Sequence, residues 1–206
     1  MTADARVLVA TTNPGKIREI EGVLGGTTRP GGERVTLVSL RDFPDVAEPE
    51  ETGETFAENS RLKALYYAAA TGLTSVADDS GLEIDALDGA PGVHSARWHG
   101  TDYPVKFRKI YELLGERRQP DSPARFVCHV TLASPSDVIF ETDGIIEGRI
   151  APEPRGTNGF GYDPIFFYPP FGCTLAELDL ARKATVSHRG WAFNRLRQFL
   201  ETTPIG

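Results

Sequence analysis

The chain opens with short apolar stretches that alternate with amphipathic ones. Arg6–Thr11 and Val35–Leu40 are brief, largely apolar and partly β-branched, which is typical of buried strands. After the first of them, apolar residues recur at helical spacing from Ile17 to Leu24, and Gly25 ends the pattern. Strand and helix patterns in alternation predict a mixed α/β fold.

A second helix is predicted from Thr55 to about Thr71. Thr55 and Glu58 have the spacing of a capping box, in which each side chain bonds the backbone of the other residue. Asn59 and Lys63 are four residues apart, so they share one face of this helix. They could reach a site or lie in solvent, and we favour solvent.

The second half of the chain contains longer alternating segments. A helix is predicted over Tyr103–Leu114. Two long strands, the second of them Val138–Ile150, flank the polar connector Ser134–Asp137 and predict an antiparallel hairpin. A short helix is expected over Thr174–Leu180, and a last helix opens with Ser187 as its N-cap.

The most informative stretch is Val76–Asp85, where an apolar run leads into the adjacent carboxylates Asp78 and Asp79, followed by Ser80 and Gly81. Apolar and acidic residues alternate beyond the glycine, which predicts a strand, a tight corner and a second strand. Two carboxylates at a rigid strand end can hold a divalent cation and deprotonate a water. Asp-Asp-Ser-Gly is also ordinary turn chemistry, and on this stretch alone the turn is favoured.

A polar loop joins the first predicted strand to the first helix. Such a loop places backbone N–H groups and the positive end of the helix against an anion, and its lysine adds a full charge. The Gly-Lys-Ser/Thr ending of a Walker loop is missing, so taken alone the motif is weak and an ordinary strand-to-helix turn is favoured. The residues of the loop are Thr11, Thr12, Asn13, Pro14, Gly15 and Lys16.

A glycine-punctuated loop, Arg155–Pro164, carries two aromatic rings and a carboxylate. The rings of Phe160 and Tyr162 could stack on a base, and Asp163 could accept hydrogen bonds from base N–H groups. The alternative is a turn whose rings fill the core.

Cationic residues gather near the predicted last helix. Lys183 precedes it, and His188 and Arg189 fall in its first turn, where donors could meet an anion or a carbonyl group; plain surface charge is the alternative. A nucleoside triphosphate requires a phosphate loop, acidic groups for a cation, a stacking loop and such late cations. The motifs together therefore predict a nucleotide site.

Composition narrows the partners. The net charge is −7, whereas a broad nucleic-acid surface needs a basic face, so nucleic acid is not expected. The sequence has no apolar run long enough to span a membrane and no signal-peptide pattern at its start, so we expect no membrane partner and a cytoplasmic location. Two distant cysteines predict neither a disulfide framework nor a zinc site. The pattern as a whole predicts a single domain over residues 1–206 with two lobes and a cleft between them.

Six short motifs follow one another along nearly the whole chain, from Val7 to Leu200. They are Thr11-x-Asn13-x-x-Lys16, Glu51-Thr52-Gly53-x-Thr55-Phe56-x-Glu58-Asn59, Ala77-Asp78-Asp79-Ser80-Gly81-Leu82, Gly89-Ala90-Pro91-Gly92, Gly159-Phe160-Gly161-Tyr162-Asp163-Pro164 and Ser187-His188-Arg189-Gly190. In this order they resemble the inosine triphosphate pyrophosphatase family, which clears non-standard purine nucleoside triphosphates.

The resemblance implies an elongated α/β fold in which helices flank a central mixed β-sheet and an active cleft separates two lobes. It implies a Mg²⁺-dependent homodimer that converts ITP, dITP and XTP to the monophosphate and pyrophosphate. Mg²⁺ would lower the pKa of the water that attacks the α-phosphorus.

The resemblance also assigns roles to residues. Asp79 is the expected general base and a metal ligand. Glu51 is the expected second ligand, with Glu50 as the alternative, and Asp78 would support the metal site without binding the ion directly. His188 and Arg189 would donate to the 6-oxo group of the base. The full set of expected substrate contacts is Thr11, Thr12, Asn13, Pro14, Gly15, Lys16, Ser80, Phe160, Gly161, Tyr162, Asp163, Lys183, His188 and Arg189.

Two other functions stay open. A pyrimidine or modified-nucleotide pyrophosphatase of the Maf type typically has a serine-rich amino-terminal loop with paired arginines, which Thr11–Lys16 lacks. A non-catalytic nucleotide-binding regulatory module would need the phosphate and base loops but not the carboxylates Asp78, Asp79 and Glu51.

Overall fold

The computed structural model describes residues 5–203. Within that range the chain forms seven strands and five α-helices, joined by 3-10 turns and loops. None of these helices is both long enough and apolar enough to cross a membrane. The strands are β1 Ala5–Val9, β2 Val35–Ser39, β3 Thr74–Ile84, β4 Pro123–Ala133, β5 Val138–Ile150, β6 Phe166–Tyr168 and β7 Cys173–Thr174; the helices are α1 Pro14–Leu24, α2 Phe56–Thr71, α3 Tyr103–Glu116, α4 Leu180–Val186 and α5 His188–Thr202.

The strands form one mixed sheet in the order β2-β1-β3-β4-β5-β6-β7. β1 pairs in parallel with β2 and β3, whereas β6 pairs antiparallel with β5 and β7. β4 and β5 are neighbours, and their short connector closes where the Ser134 N–H donates to the Asp137 carbonyl. The predicted mixed α/β fold with a central sheet is therefore confirmed, as is the hairpin.

The chain divides into two compact units. The first comprises the residues up to Asp79, Cys128–Gly144 and the residues from Arg189 onward; the second comprises Ser80–Val127 and Ile145–His188. The description of residues 1–206 as a single domain stays a prediction.

In the first unit both faces of β1 are buried, because the strand and the residue after it are apolar from Val7 to Ala10. Val7 and Val9 pack with residues of α1 and α5, and Leu8 and Ala10 pack with residues of α2. Side chains alternate between the two faces of a strand, so helices on both sides share the burial. This layer fixes the end of β1, from which the predicted phosphate loop departs.

The second unit has a core of its own. α3 contributes Phe107, Ile110 and Leu114, whose spacing of three and four residues places them on one face and confirms the predicted helix. Leu82 of β3 and Phe166 of β6 belong to the same cluster. This core supports the glycine-punctuated loop Arg155–Pro164, which precedes β6. It is called the base loop because it is predicted to bind the base.

The corner predicted at Asp-Asp-Ser-Gly is wrong, because β3 continues through it from Thr74 to Ile84. Aspartates favour corners when their side chains bond the nearby backbone. Asp78 and Asp79 are instead bonded by side chains from other elements. The alternation of the strand therefore runs on without a break.

The segment after β7 also differs from the prediction. Thr174 and Glu177 do form a capping box, but it closes only a three-residue 3-10 turn. Asp179 then caps a separate helix, α4, by accepting from the Arg182 N–H at 2.7 Å. The helix expected over Thr174–Leu180 is therefore wrong, and α4 is a helix that the sequence analysis missed.

Candidate functional site

Asp78 lies at the centre of a buried charge cluster in the first unit. Its Oδ2 is 3.0 Å from Lys16 Nζ and 3.1 Å from Arg189 Nη2. Arg189 is 2% exposed and also donates from Nη1 to Glu19 Oε2 at 2.6 Å. Burial on its own would raise the pKa of Asp78, but Lys16, Arg189 and Lys63 outweigh it and hold that pKa well below its usual range. Asp78 is therefore ionised at neutral pH.

Asp79, the next residue in β3, has different partners. Its Oδ1 is 3.3 Å from Lys63 Nζ, and its Oδ2 accepts from Asn59 Nδ2 at 3.2 Å. Lys63 also donates to Glu51 Oε1 at 2.7 Å, so one ammonium joins two carboxylates. Burial raises the pKa of Asp79, and Lys63 and Lys16 offset that rise only in part. Asp79 thus binds a proton more readily than its neighbour, which is the property of a base.

The expectation that Asn59 and Lys63 face solvent is wrong, since they are 0% and 8% exposed. Both lie on the side of α2 that faces Asp79. A signal was available in the sequence. The apolar residues of α2 do not gather on one helical face, and polar residues that interrupt an apolar stripe can indicate a site.

The loop that carries Glu50 and Glu51 approaches α2 closely, which holds Glu51 in place. The Gly53 N–H donates to Asn59 Oδ1 at 2.8 Å. A Cβ on Gly53 would come within 2.7 Å of Asn59 Oδ1 and of Glu58 Cβ, so a larger residue does not fit. Glu51 is half-buried against the lysine, whereas Glu50 is exposed.

The loop between β1 and α1 has a fixed shape. Asn13 caps α1, because its Oδ1 accepts from the Gly15 N–H at 2.8 Å and from the Lys16 N–H at 3.2 Å. The Asn13 N–H in turn donates to Thr11 Oγ1 at 3.2 Å. The loop therefore offers a rigid, positive helix end. Its exposed residues are Thr12, Asn13 and Pro14.

In the second unit Asp163 organises the glycine-punctuated loop. Its Oδ2 is 2.5 Å from Lys183 Nζ and accepts from the Phe160 N–H at 2.8 Å. Gly159 has a φ of +72°, and a Cβ there would collide with the Asp163 carboxylate, so this position requires glycine. The Lys183 ammonium also lies 5.0 Å from the centre of the Phe160 ring. A buried ion pair thus holds the loop and its partly exposed ring.

Tyr162 and His188 are interior residues of the second unit. Tyr162 is 3% exposed, and its hydroxyl donates to the Ser95 carbonyl at 2.9 Å. The His188 ring stacks on Phe126, with ring centres 4.7 Å apart and planes 9° apart. For Tyr162 the ring does fill the core, as the alternative interpretation of the loop expected, whereas the ring of Phe160 is partly exposed.

The expected site residues therefore fall into two groups, and their roles stay predictions. Those that meet through charged atoms in the first unit are Lys16, Glu51, Asp78, Asp79 and Arg189. Those that meet in the second unit are Phe160, Asp163 and Lys183. Ser80 and Gly161 are partly exposed.

The carboxylates of Glu51 and Asp79 converge on one ammonium, which places two hard oxygen ligands close together. Mg²⁺ is commonly held by one or two carboxylates together with substrate phosphates. Over residues 5–203 no group of three or more His, Cys, Asp or Glu side chains could hold a metal ion. The donor set fits a metal site that the substrate completes, rather than an all-protein cage.

Comparison with known proteins gives consistent results. The model of the Ham1 family matches residues 7–199. A dITP/XTP pyrophosphatase of Exiguobacterium sp. is 48% identical over 93% of this chain and 94% of its own, and one of Geobacter sulfurreducens is 46% identical over 95% and 96%. A solved HAM1 protein from Coxiella burnetii is 38% identical with a TM-score of 0.84, covering 95% of this chain and 98% of its own. A nucleoside-triphosphatase, or dITP/XTP pyrophosphatase, from Mycobacterium abscessus is 41% identical with a TM-score of 0.71, covering 93% and 97%.

Proposed function

Because the chain belongs to the Ham1 family, we propose that it hydrolyses the non-standard purine nucleoside triphosphates ITP, dITP and XTP to the monophosphate and pyrophosphate. The observation that carries the proposal is the arrangement of two adjacent carboxylates of β3, where Asp78 pairs with Lys16 and Asp79 shares Lys63 with Glu51. Cations hold the pKa of Asp78 low, whereas burial raises the pKa of Asp79. One carboxylate is suited to anchoring cations and the other to accepting a proton.

Asp79 is the general base of this reaction. A carboxylate that is held by both Asn59 and Lys63 can orient a water and accept its proton as the water oxygen bonds to the α-phosphorus. The bond between the α-phosphorus and the bridging oxygen breaks, and pyrophosphate leaves. Burial raises the pKa of Asp79, which favours acceptance of a proton.

Glu51 and Asp79 would hold Mg²⁺ together with the substrate phosphates. When bound, Mg²⁺ lowers the pKa of a coordinated water and offsets phosphate charge. The geometry supports Glu51 rather than Glu50, because Glu51 shares Lys63 with Asp79 and Glu50 is exposed. Lys63 pairs with both carboxylates and so holds them close together.

The phosphates are assigned to the loop before α1. Its capped helix end attracts anions, and Lys16 offsets charge on the departing pyrophosphate. Asp78 holds the Lys16 ammonium in position. In the second unit Lys183 is paired with Asp163, so its charge serves first to fix the base loop.

Base recognition is assigned to Phe160, Gly161, Tyr162 and Asp163, where the partly exposed Phe160 ring can stack on a purine. Ser80, His188 and Arg189 complete the proposed substrate contacts. A site that hydrogen-bonds a 6-oxo group leaves the 6-amino group of adenine mispaired, which can discriminate by on the order of 10⁴.

The direct test is pyrophosphate release from ITP, XTP, dITP, GTP, ATP and dTTP, each with Mg²⁺ and with EDTA. We expect metal-dependent cleavage of the first three and little from ATP or dTTP. Preference for dTTP would favour the Maf-type enzyme, and ITP binding without turnover would favour the regulatory module.

The resemblance further supports a homodimer, and the cytoplasmic location stays a prediction. Light scattering on the purified protein should then give twice the chain mass of 22.5 kDa. A mass of one chain would contradict the dimer without touching the proposed reaction.

A further inference from the structure

Lys106 carries a buried charge that no carboxylate among residues 5–203 balances. The residue lies in α3 and is 0% exposed. In the part of the chain that the structure describes, its ammonium makes no ion pair, and burial lowers its pKa. Its acceptors are two backbone carbonyls, Ser95 O at 3.0 Å and Ala96 O at 2.7 Å. Burying a cation in this way costs free energy that the hydrogen bonds must offset.

The Ser95 carbonyl has a second donor, the Tyr162 hydroxyl at 2.9 Å. The side chain of Ser95 accepts from the Leu82 N–H at 2.9 Å and donates to the Gly92 carbonyl at 2.6 Å. Ser95 therefore joins β3, the turn at Gly92, α3 and the base loop. Leu82 lies three positions after Asp79 in the same strand.

Two aromatic rings, those of Tyr103 and Tyr162, also pack against the Lys106 ammonium. The Lys106 ammonium lies 4.4 Å from the centre of the Tyr103 ring and 5.7 Å from that of Tyr162, within the range of cation–π attraction. The two rings meet edge to face at 5.3 Å. Tyr103 also lies behind Gly161, where an added Cβ would be 3.6 Å from the Tyr103 hydroxyl. The Lys106 ammonium thus contacts Tyr103, which packs behind the base loop, and Tyr162 of the loop itself.

We propose that Lys106 is a positioning residue for base recognition: its ammonium fixes the Ser95 carbonyl and the Tyr103 ring, which together hold Tyr162 and the loop Phe160–Asp163 in one conformation. This inference rests on the proposed function, which assigns the purine to that loop. Lys106 acts through these residues and does not touch the substrate.

The proposal predicts which kinetic constant changes when Lys106 is replaced. A loop that moves binds the purine less tightly, while the carboxylates of the first unit are unchanged, so KM rises and kcat does not fall. Discrimination between ITP and ATP also weakens, because it depends on hydrogen bonds held in fixed positions.

The test compares Lys106→Met with Lys109→Met. Methionine keeps a linear apolar stem and removes the ammonium, and Lys109 is a matched control on the same helix whose ammonium pairs with Glu112 at the surface. We expect Lys106→Met to raise KM for ITP by about tenfold, the effect of losing a charged hydrogen bond, with kcat within about twofold. Backbone amide exchange over residues 156–164 should become faster. Lys109→Met should change neither.

Unchanged KM and unchanged amide exchange in Lys106→Met would overturn the proposal, as would a fall in kcat with KM unchanged. If the methionine variant does not fold, Lys106→Gln, which removes the charge but keeps a donor NH₂ group, takes its place with the same expected outcome in weaker form. Absence of pyrophosphate release by the unmodified protein would overturn the proposed function instead. The exchange comparison would still decide whether Lys106 fixes the loop.

Discussion

The carboxylate cluster of the first unit and the base loop of the second both bury charge, but they hold it differently. In the cluster nearly every charged group meets one of opposite sign, as Asp78 does with Lys16 and Arg189. Around the base loop Lys183 forms a buried ion pair with Asp163, whereas the Lys106 ammonium contacts backbone carbonyls and aromatic rings. Ion pairs therefore hold the side chains of the cluster in position. The base loop is held largely by hydrogen bonds to backbone carbonyls and by ring contacts.

This difference separates changes that damage the reaction from changes that damage recognition. Removing one charge from the cluster leaves its partners buried without compensation, which typically costs about 3–5 kcal/mol. Removing a neutral hydrogen bond near the loop typically costs about 0.5–1.5 kcal/mol. We expect large losses of turnover or stability from the first region and changes in binding from the second.

Asp79→Asn should give the largest effect. The amide keeps the size of the side chain but accepts no proton, so kcat should fall by at least about a hundredfold, while folding and ITP binding persist. Steady-state turnover and calorimetric binding measure the two quantities. Asp85→Asn, the same change at an exposed acidic residue, is the control and should leave both unchanged. Near-normal turnover of Asp79→Asn would remove Asp79 from its role.

Arg189→Met should cause the largest loss of stability. It leaves Asp78 and Glu19 buried without their shared cation, so the free energy of unfolding should fall by about 3 kcal/mol or more. Denaturant titration measures it. Arg197→Met is the matched control, because its pair with Glu201 is exposed and such pairs contribute about 0–1 kcal/mol. Equal losses in both variants would contradict the account of the cluster.

Glu51→Gln tests the assignment of the second metal ligand. Losing one carboxylate should raise the Mg²⁺ concentration for half-maximal activity by on the order of tenfold. Glu50→Gln, one position away and exposed, should leave that concentration unchanged. A Mg²⁺ titration of both variants decides between them, and the opposite pattern would move the ligand to Glu50.

The smallest expected effect concerns stability in alkaline solution. Burial lowers the pKa of Lys106 in the folded protein below its ordinary 10.5. Between the lowered pKa and 10.5, the unfolded chain therefore binds more protons than the folded one. The unmodified protein should therefore gain stability relative to Lys106→Met as pH rises towards 10.5. Tyr103 and Tyr162 face the ammonium, and burial raises the pKa of both hydroxyls, so folding disfavours their ionisation in both proteins. A parallel pH dependence of the unfolding free energy in both proteins would contradict this.

Local periodicity was sufficient to predict much of the fold. α3 and the hairpin at Ser134–Asp137 follow from spacing within one segment, and the structure confirms both. The course of β3 could not be predicted in this way, because the partners of Asp78 are Lys16, 62 positions earlier, and Arg189, 111 positions later. Only the fold reveals that these carboxylates are bonded from a distance.

The candidate site shows the same division. Motifs predicted roles for Asp79 and Asp163, whereas the burial of Asn59 and Lys63 was indicated only by the irregular apolar stripe of α2. Those two residues have one helix face in common, and whether that face meets solvent or a carboxylate depends on the strand beside it. Lys106 is harder still, since a lysine within an amphipathic helix is ordinarily exposed.

Attack of water at the α-phosphorus is tested most directly by hydrolysing ITP in water labelled with oxygen-18 and analysing both products by mass spectrometry. We predict that the label enters the monophosphate, because Asp79 directs water to the α-phosphorus and the bond to the departing pyrophosphate breaks. Label in the pyrophosphate would mean attack at the β-phosphorus. That result would contradict the mechanism built on the carboxylates of β3.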